Sequence, residues 1–436
     1  MKKIFLLVVF VVTALAALVF SGPAGAGNGP TILIKNATLV PVTGAPIAAG
    51  QLLIRDGKIA ALGTSVDAPA EALVIDAAGQ FVYPGFIDAF THFGLVEISA
   101  VSGTVDVREM GKENPEVLAA RAINPASIHF GTSRINGTTA ALVAPAGGTF
   151  PGQSSLVRMD GWTVAEMALK ETATSLVNFP MSPRPAGGEG GGTAQESKVD
   201  VTSKLVEKIS EYLKEARRYL DLKKAAAADS RLEAPALNRK FEALAPVLDG
   251  TLPVILSVEK EKDIELALKF IKEEKLKAVF RGCSQGFKVA SKIKEAGIPV
   301  IIDSLYVGPV EPEDGYDAPF RNVIELVKAG VPICFSSGDD PAAGKDLPYH
   351  AARAVAYGLD HEEAIKALTI NPARIFGVED RLGSLEIGKD ADLFVTTGDP
   401  LDTRSEVRHL FIGGRHIDMK NYWDGLYEKY QMRPIK

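Results

Sequence analysis

The 436-residue sequence predicts an α/β fold: a (β/α)8 TIM-like barrel inserted in a small β-sandwich formed by the N- and C-terminal segments. Three observations carry this. Apolar strand-like runs alternate with helical stretches across residues 84–380, the pattern of a parallel sheet covered by helices, over a length that suits an eight-stranded barrel. Glycines at Gly137, Gly297 and Gly330 follow helical stretches, where a helix C-terminus favours them. Short strand-length runs without helices fill both ends of the chain.

In chain order, Thr31–Val42, Gln51–Leu62 and Ala72–Val82 read as strands. Asp56-Gly57 inside the second marks a tight hairpin. The barrel strands are then Phe86–Phe90, Thr139–Ala144, Ser175–Phe179, Pro253–Val258, Ala278–Phe280, Pro299–Ile302 and Val331–Phe335. These are seven, so an eighth is hidden. Helical stretches are Asn124–Asn136, Ile264–Glu274, Gly286–Ala296, Phe320–Ala329, Leu347–Tyr357 and His361–Leu368. A glycine- and proline-rich loop at 181–199 leads into a long helix over Val201–Leu222. Its apolar stripe is Val201, Leu205, Ile209, Leu213, Ala216 and Tyr219. Strands return at Ser384–Ile387, Asp392–Thr396, Val407–Ile412 and Arg415–Asp418. The divisions are a leader at 1–26, sandwich halves at 27–83 and 381–436, and the barrel at 84–380.

Three segments carry a family resemblance. Pro84-Gly85-Phe86-Ile87-Asp88-Ala89-Phe90-Thr91-His92-Phe93-Gly94 resembles the opening signature of the metal-dependent amidohydrolases, P-G-[LF]-I-D-x-H-x-H-x-G. Arg134-Ile135-Asn136-Gly137-Thr138-Thr139-Ala140 resembles the helix and second strand of that family. Gly358 to Arg374, with Gly383 to Leu393, resembles its closing helices and the return to the sandwich. The similarity runs over nearly the whole mature chain and is closest to the imidazolonepropionase-like branch.

The resemblance implies a hydrolase of C–N bonds in cyclic amides or peptide-like substrates. Histidines and carboxylates at the strand ends would hold one or two divalent metals, usually zinc, and the metal would lower the pKa of a bound water to about 7. On the first strand, period two places residues 90 and 92 on one side, but the first of the pair is Phe90, which has no lone pair. Ser257 and Glu259 stand near the strand end where relatives carry histidine, and Arg281 stands where relatives carry another. Serine is a poor zinc ligand and arginine a repelling cation. Glu259 is expected to pair with Arg281. His92 and Asp339 remain as metal-ligand candidates, with Asp339, or Asp340 by a shift of one, as the catalytic aspartate. The expectation is no bound metal, with one zinc at low occupancy on His92 and Asp339 as the alternative.

The other histidines, His129, His350, His361, His409 and His416, show no H-x-x-x-H pair and read as structural or solvent-facing. No G-x-S-x-G nucleophile elbow exists. Glu97, Asp106, Arg108 and Glu109 in the long first loop are candidate substrate contacts, as is Asp303 at the end of the seventh candidate strand. Three readings remain open: an altered amidohydrolase, a pseudoenzyme that binds a ligand or partners an active amidohydrolase, and a metal-free hydrolase using Asp339 and His92.

Hydrophobic residues make up 46% and charged residues 23% of the chain, a balance that suits a soluble globular protein. No basic run exists, which argues against nucleic acid. Lys2 and Lys3, the apolar run Ile4–Phe20 and Ala24-Gly25-Ala26 form a signal peptide pattern. It predicts a periplasmic or secreted protein with no stable membrane anchor after cleavage. The expected partners are a small-molecule or peptide-like ligand, and a second copy or an active amidohydrolase. Cys283 and Cys334 lie in or beside apolar runs and are expected to be free thiols.

Overall fold

The computed structural model describes residues 29–181 and 195–434. The expected leader and most of the glycine-rich loop lie outside the described residues. The chain opens with β1 (Ile32–Leu39), β2 (Ile47–Arg55), β3 (Lys58–Gly63), β4 (Leu73–Asp76) and β5 (Phe81–Pro84). The β2–β3 turn is the expected Asp-Gly hairpin. Asp56 and Gly57 both have positive φ, 53° and 77°, and Arg55 pairs with Lys58 across them.

The barrel strands are β6 (Phe86–Thr91), β7 (Thr138–Val143), β8 (Gln153–Arg158), β9 (Ala168–Val177), β10 (Val254–Val258), β11 (Ala278–Gly282), β12 (Val300–Ile302) and β13 (Ile333–Phe335), in that order across one sheet. All seven expected strands are present. The hidden eighth is β8, and it runs antiparallel to both neighbours. The reason is reach. Only residues 144–152 join it to β7 and only 159–167 to β9, whereas a parallel crossover needs about a dozen residues or more.

Among the described residues no backbone ladder joins β13 to β6. That seam is held by a side chain. Asp88 of β6 accepts the Ser337 N–H at 3.0 Å and the Ser337 hydroxyl at 2.5 Å. Residues that alternate along the strands, among them Ile255, Val279, Ile301 and Cys334, fill the barrel interior together with Ile370, Ala373 and Phe376. The outward set, including Leu256, Phe280 and Phe335, packs on helix residues such as Ile264, Phe270, Val323 and Ala351.

The helices are α1 (Ile128–Ser133), α2 (Val164–Met167), α3 (Gln195–Ala228), α4 (Arg239–Leu248), α5 (Glu261–Glu274), α6 (Ala290–Glu295), α7 (Ala318–Lys328), α8 (Leu347–Ala356), α9 (His361–Leu368), α10 (Ile370–Ile375) and α11 (Tyr422–Gln431). Helix α3 starts earlier than expected. Its buried stripe runs through Thr202, Val206, Ile209, Leu213, Ala216 and Tyr219, while Leu205 is exposed. No helix among the described residues is long and apolar enough to cross a membrane.

After α10 the chain returns as β14 (Leu393–Thr396), β15 (Val407–Ile412) and β16 (Arg415–His416); the segment Ser384–Ile387, expected as a strand, is irregular. β14 pairs antiparallel with β5, Phe394 facing Tyr83. The sandwich expected from the two ends thus takes the form of one hydrogen-bonded eight-stranded sheet, packed through Ile34, Leu52, Val82, Leu393 and Phe411. Gly85 stands between this sheet and the barrel, its N–H on the Asp392 carbonyl at 2.8 Å.

Candidate functional site

The side-chain period of two puts Ser257, Arg281, Asp303 and Ser336 one layer above Ile255, Val279, Ile301 and Cys334, at the C-terminal ends of their strands. Phe90 and His92 rise beside them from the end of β6. The mouth of the barrel therefore has an apolar floor and a charged rim, the position where barrels of this kind build their sites.

Arg281 organises the rim. Its guanidinium carbon lies 3.6 Å from the centre of the Phe90 ring. Its Nε donates to Asp303 at 3.0 Å and its Nη2 to Asp339 at 2.7 Å. Asp303 also accepts the Ser336 hydroxyl at 2.6 Å. The Arg281 side chain is only 12% exposed, whereas that of Asp339 is 66% exposed. Burial works against the charge of Arg281, but the two carboxylates outweigh it and raise its pKa further.

His92 is buried under the same carboxylate. Its Nδ1 lies 2.7 Å from the Ala144 carbonyl oxygen. A carbonyl only accepts, so Nδ1 carries a proton and donates. Nε2 is turned to Asp339 at 3.3 Å. Partial desolvation at the rim opposes ionisation of Asp339. The hydrogen bond from His92 and the charge of Arg281 prevail and hold its carboxyl well below the usual range. Asp340 takes a different part, capping the turn after it by accepting the Ala342 N–H at 3.0 Å.

Asp88, one layer down, is fully buried, and burial pushes its carboxyl up to about 7 against the opposing hydrogen bonds from Ser337 and the Phe90 N–H. Motif and position make it a seam residue, a role the sequence reading did not assign.

The expected pairing of Glu259 with Arg281 is not made. Glu259 instead accepts the Ser284 N–H at 3.3 Å and the Ser284 hydroxyl. The cause lies in the backbone. Gly282 and Cys283 both take positive φ, 89° and 52°, which folds Ser284 back over Glu259, while Arg281 points into the barrel towards Asp303. A Cβ on Gly282 would meet Glu259 Oε1 at 2.5 Å. Ser257 stands half-buried in the same layer.

The other histidines lie apart from this cluster. His129 Nε2 meets the Glu97 carbonyl at 2.9 Å, and His361 pairs with Asp399 at 2.9 Å. His409 and His416 contact each other at 3.0 Å. His350 accepts the Leu305 N–H at 3.3 Å, and burial lowers its pKa to about 4. Glu97 accepts from Asn124 at 3.4 Å, while Asp106, Arg108 and Glu109 are exposed. Both cysteines are buried free thiols. Among the described residues no group of three or more His, Cys, Asp or Glu side chains is arranged to hold a metal ion.

Comparison with known proteins agrees with this architecture. Residues 293–417 match the model of the amidohydrolase family. The chain is 26% identical over 394 residues to an imidazolonepropionase of Shewanella baltica, covering 82% of this chain and 90% of that protein. It is 22% identical over 438 residues to the amidohydrolase tasK of Hapsidospora irregularis, covering 89% of this chain but only 43% of that longer protein. The crystal structure of an amidohydrolase from Thermotoga maritima superposes with a TM-score of 0.79 at 28% identity, covering 89% of this chain and all of that one.

Proposed function

This chain belongs to the amidohydrolase superfamily, and we propose that its barrel mouth binds a small amide- or peptide-like ligand, with the metal-dependent hydrolysis of C–N bonds altered or lost. One observation carries the reading: the Arg281 guanidinium lies on the Phe90 ring and is shared by Asp303 and Asp339.

The residues present do not fit a catalytic divalent metal. His92 and Asp339 are suitable ligands, but Phe90, Ser257 and Arg281 surround them, and zinc needs three protein ligands. A dication held by Asp339 would sit against the Arg281 guanidinium, which already donates to that carboxylate at 2.7 Å, and like charges at such range repel. Arg281 instead supplies the positive charge that Asp339 requires, held in place by the barrel itself.

A second reading draws on the His92–Asp339 contact. That pair is suited to proton transfer and would support slow metal-free hydrolysis. The leader pattern supports export to the periplasm or beyond in either case.

Calorimetric titration of zinc into the purified protein tests the proposal, alongside thermal denaturation with and without chelator and turnover of a cyclic amide. The expected results are no saturable zinc binding, an unchanged melting temperature and no turnover. Tight zinc binding lost in His92→Ala, with turnover that depends on it, would overturn the reading. Chelator-resistant turnover lost in Asp339→Asn would select the second one.

A further inference from the structure

Beside the Arg281 cluster a cavity of about 200 Å³ opens between the ends of β10, β11 and β12. Its polar lining consists of Glu259, Asp303, Ser284, Ser304 and Asn322, and aliphatic side chains of 302–310 with Pro319 form most of the remaining wall. No lysine, arginine or histidine is among the described residues lining it.

Three observations converge on the chemistry of an occupant. Glu259 binds Ser284 through Oε2, and Oε1 has no protein donor among the described residues. Asp303 accepts from Arg281 and from the Ser336 hydroxyl, yet lines the cavity beside Glu259 with its side chain partly exposed. Asn322 lines the cavity on a side chain only 3% exposed. Its Oδ1 accepts the Phe287 N–H at 2.8 Å, which fixes the amide orientation and leaves Nδ2 without a protein acceptor among the described residues. The cavity therefore offers carboxylate acceptors on one side and an amide donor on the other. Burial pushes the Glu259 carboxyl up, against the hydrogen bond from Ser284, as expected for a carboxylate short of a cation.

We infer that this cavity binds a small primary ammonium ion that also carries a carbonyl oxygen, the ammonium on Glu259 and Asp303 and the carbonyl on Asn322. The inference rests on the reading that the mouth is a ligand-binding site, and it names the ligand class. An amino amide has this shape, and the aliphatic wall leaves room for a short methylene chain.

The test is calorimetric titration of the full chain with β-alaninamide, n-propylammonium and propionamide, with metal content measured on the same sample. β-Alaninamide is expected to bind saturably, n-propylammonium more weakly and propionamide least. Glu259→Gln keeps the acceptor for Ser284 and is expected to weaken β-alaninamide by about tenfold or more, the effect of losing one charge-assisted contact. Val307→Trp places a large ring at a 56% exposed position that lines the cavity and is expected to abolish binding while the melting temperature stays near that of the parent. Equal binding of propionamide, an unchanged affinity in folded Glu259→Gln, or no saturable binding of any probe would overturn the inference. Stoichiometric zinc in the sample would instead overturn the proposed metal-independent mouth, whatever the amines do.

Discussion

Replacing Arg281 by methionine keeps most of the side-chain volume and removes the charge. Three contacts are lost. The pair with Asp303 is largely buried, and a charge-assisted hydrogen bond of that kind contributes about 1.5–3 kcal/mol. The pair with Asp339 is worth less than ~1 kcal/mol because that carboxylate faces solvent. The face of Phe90 adds about 0.5–2 kcal/mol, part of which a thioether recovers. The expected loss is about 3 kcal/mol. With roughly 2.1 cal/mol/K of unfolding entropy per residue, a chain of this length should melt about 3–4 °C lower. The sharper assay is a double-mutant cycle. Asp303→Asn should cost about 1–2 kcal/mol less in the Arg281→Met background than in the parent, and Asp339→Asn should show a smaller coupling of the same sign. Fully additive losses would mean that Arg281 is not the shared cation of the rim, and the reasoning would fail.

Other predictions follow from the same geometry. Asp88 is raised to about 7 in the fold from about 3.9 when unfolded, so the native state binds more protons between those values. Its contribution to stability is full below pH 4 and declines as pH rises towards 7, by at most about 4 kcal/mol; chemical denaturation at several pH values should show this slope in the parent and a flatter one in Asp88→Asn. Gly85→Ala would place a Cβ 2.0 Å from Thr139 Oγ1 and should cost about 3 kcal/mol or more, whereas Gly103→Ala, with nothing within 4 Å, should be near neutral in the same melting assay. The triple variant Phe90→His, Ser257→His and Arg281→His removes the competing cation and restores imidazoles around His92. It should take up about one zinc in elemental analysis, and an unchanged metal content would show that the strand ends are not shaped for an ion.

Much of the site was legible because period two along a strand fixes which side chains rise together. Phe90 with His92 could be read from spacing alone, and so could the position of Arg281 at the end of its strand. Spacing does not say which neighbour a long side chain reaches. Spacing therefore pairs Glu259 with Arg281, whereas the left-handed turn at Gly282-Cys283 gives it to Ser284 and leaves Arg281 to Asp303 and Asp339. Asp88 was hidden for the opposite reason: its partner Ser337 lies at the far end of the barrel, and only closure brings them together. The reversed β8 breaks the strand–helix alternation, because a strand joined to its neighbours by short connections has no long covering helix of its own to mark it. The α4 helix carries Pro246 in its interior, which reads as a breaker. On α3 the stripe holds at Ile209, Leu213, Ala216 and Tyr219, and differs at Leu205, where Val206 is buried instead, because leucine is the stronger apolar signal and the fold selects by angle.

The most direct test is anomalous diffraction at the zinc edge from crystals soaked in zinc. No peak is expected between His92 and Asp339, with the Arg281 guanidinium still resting on Phe90. A strong peak bonded to both residues, with Arg281 turned away from the barrel mouth, would contradict it.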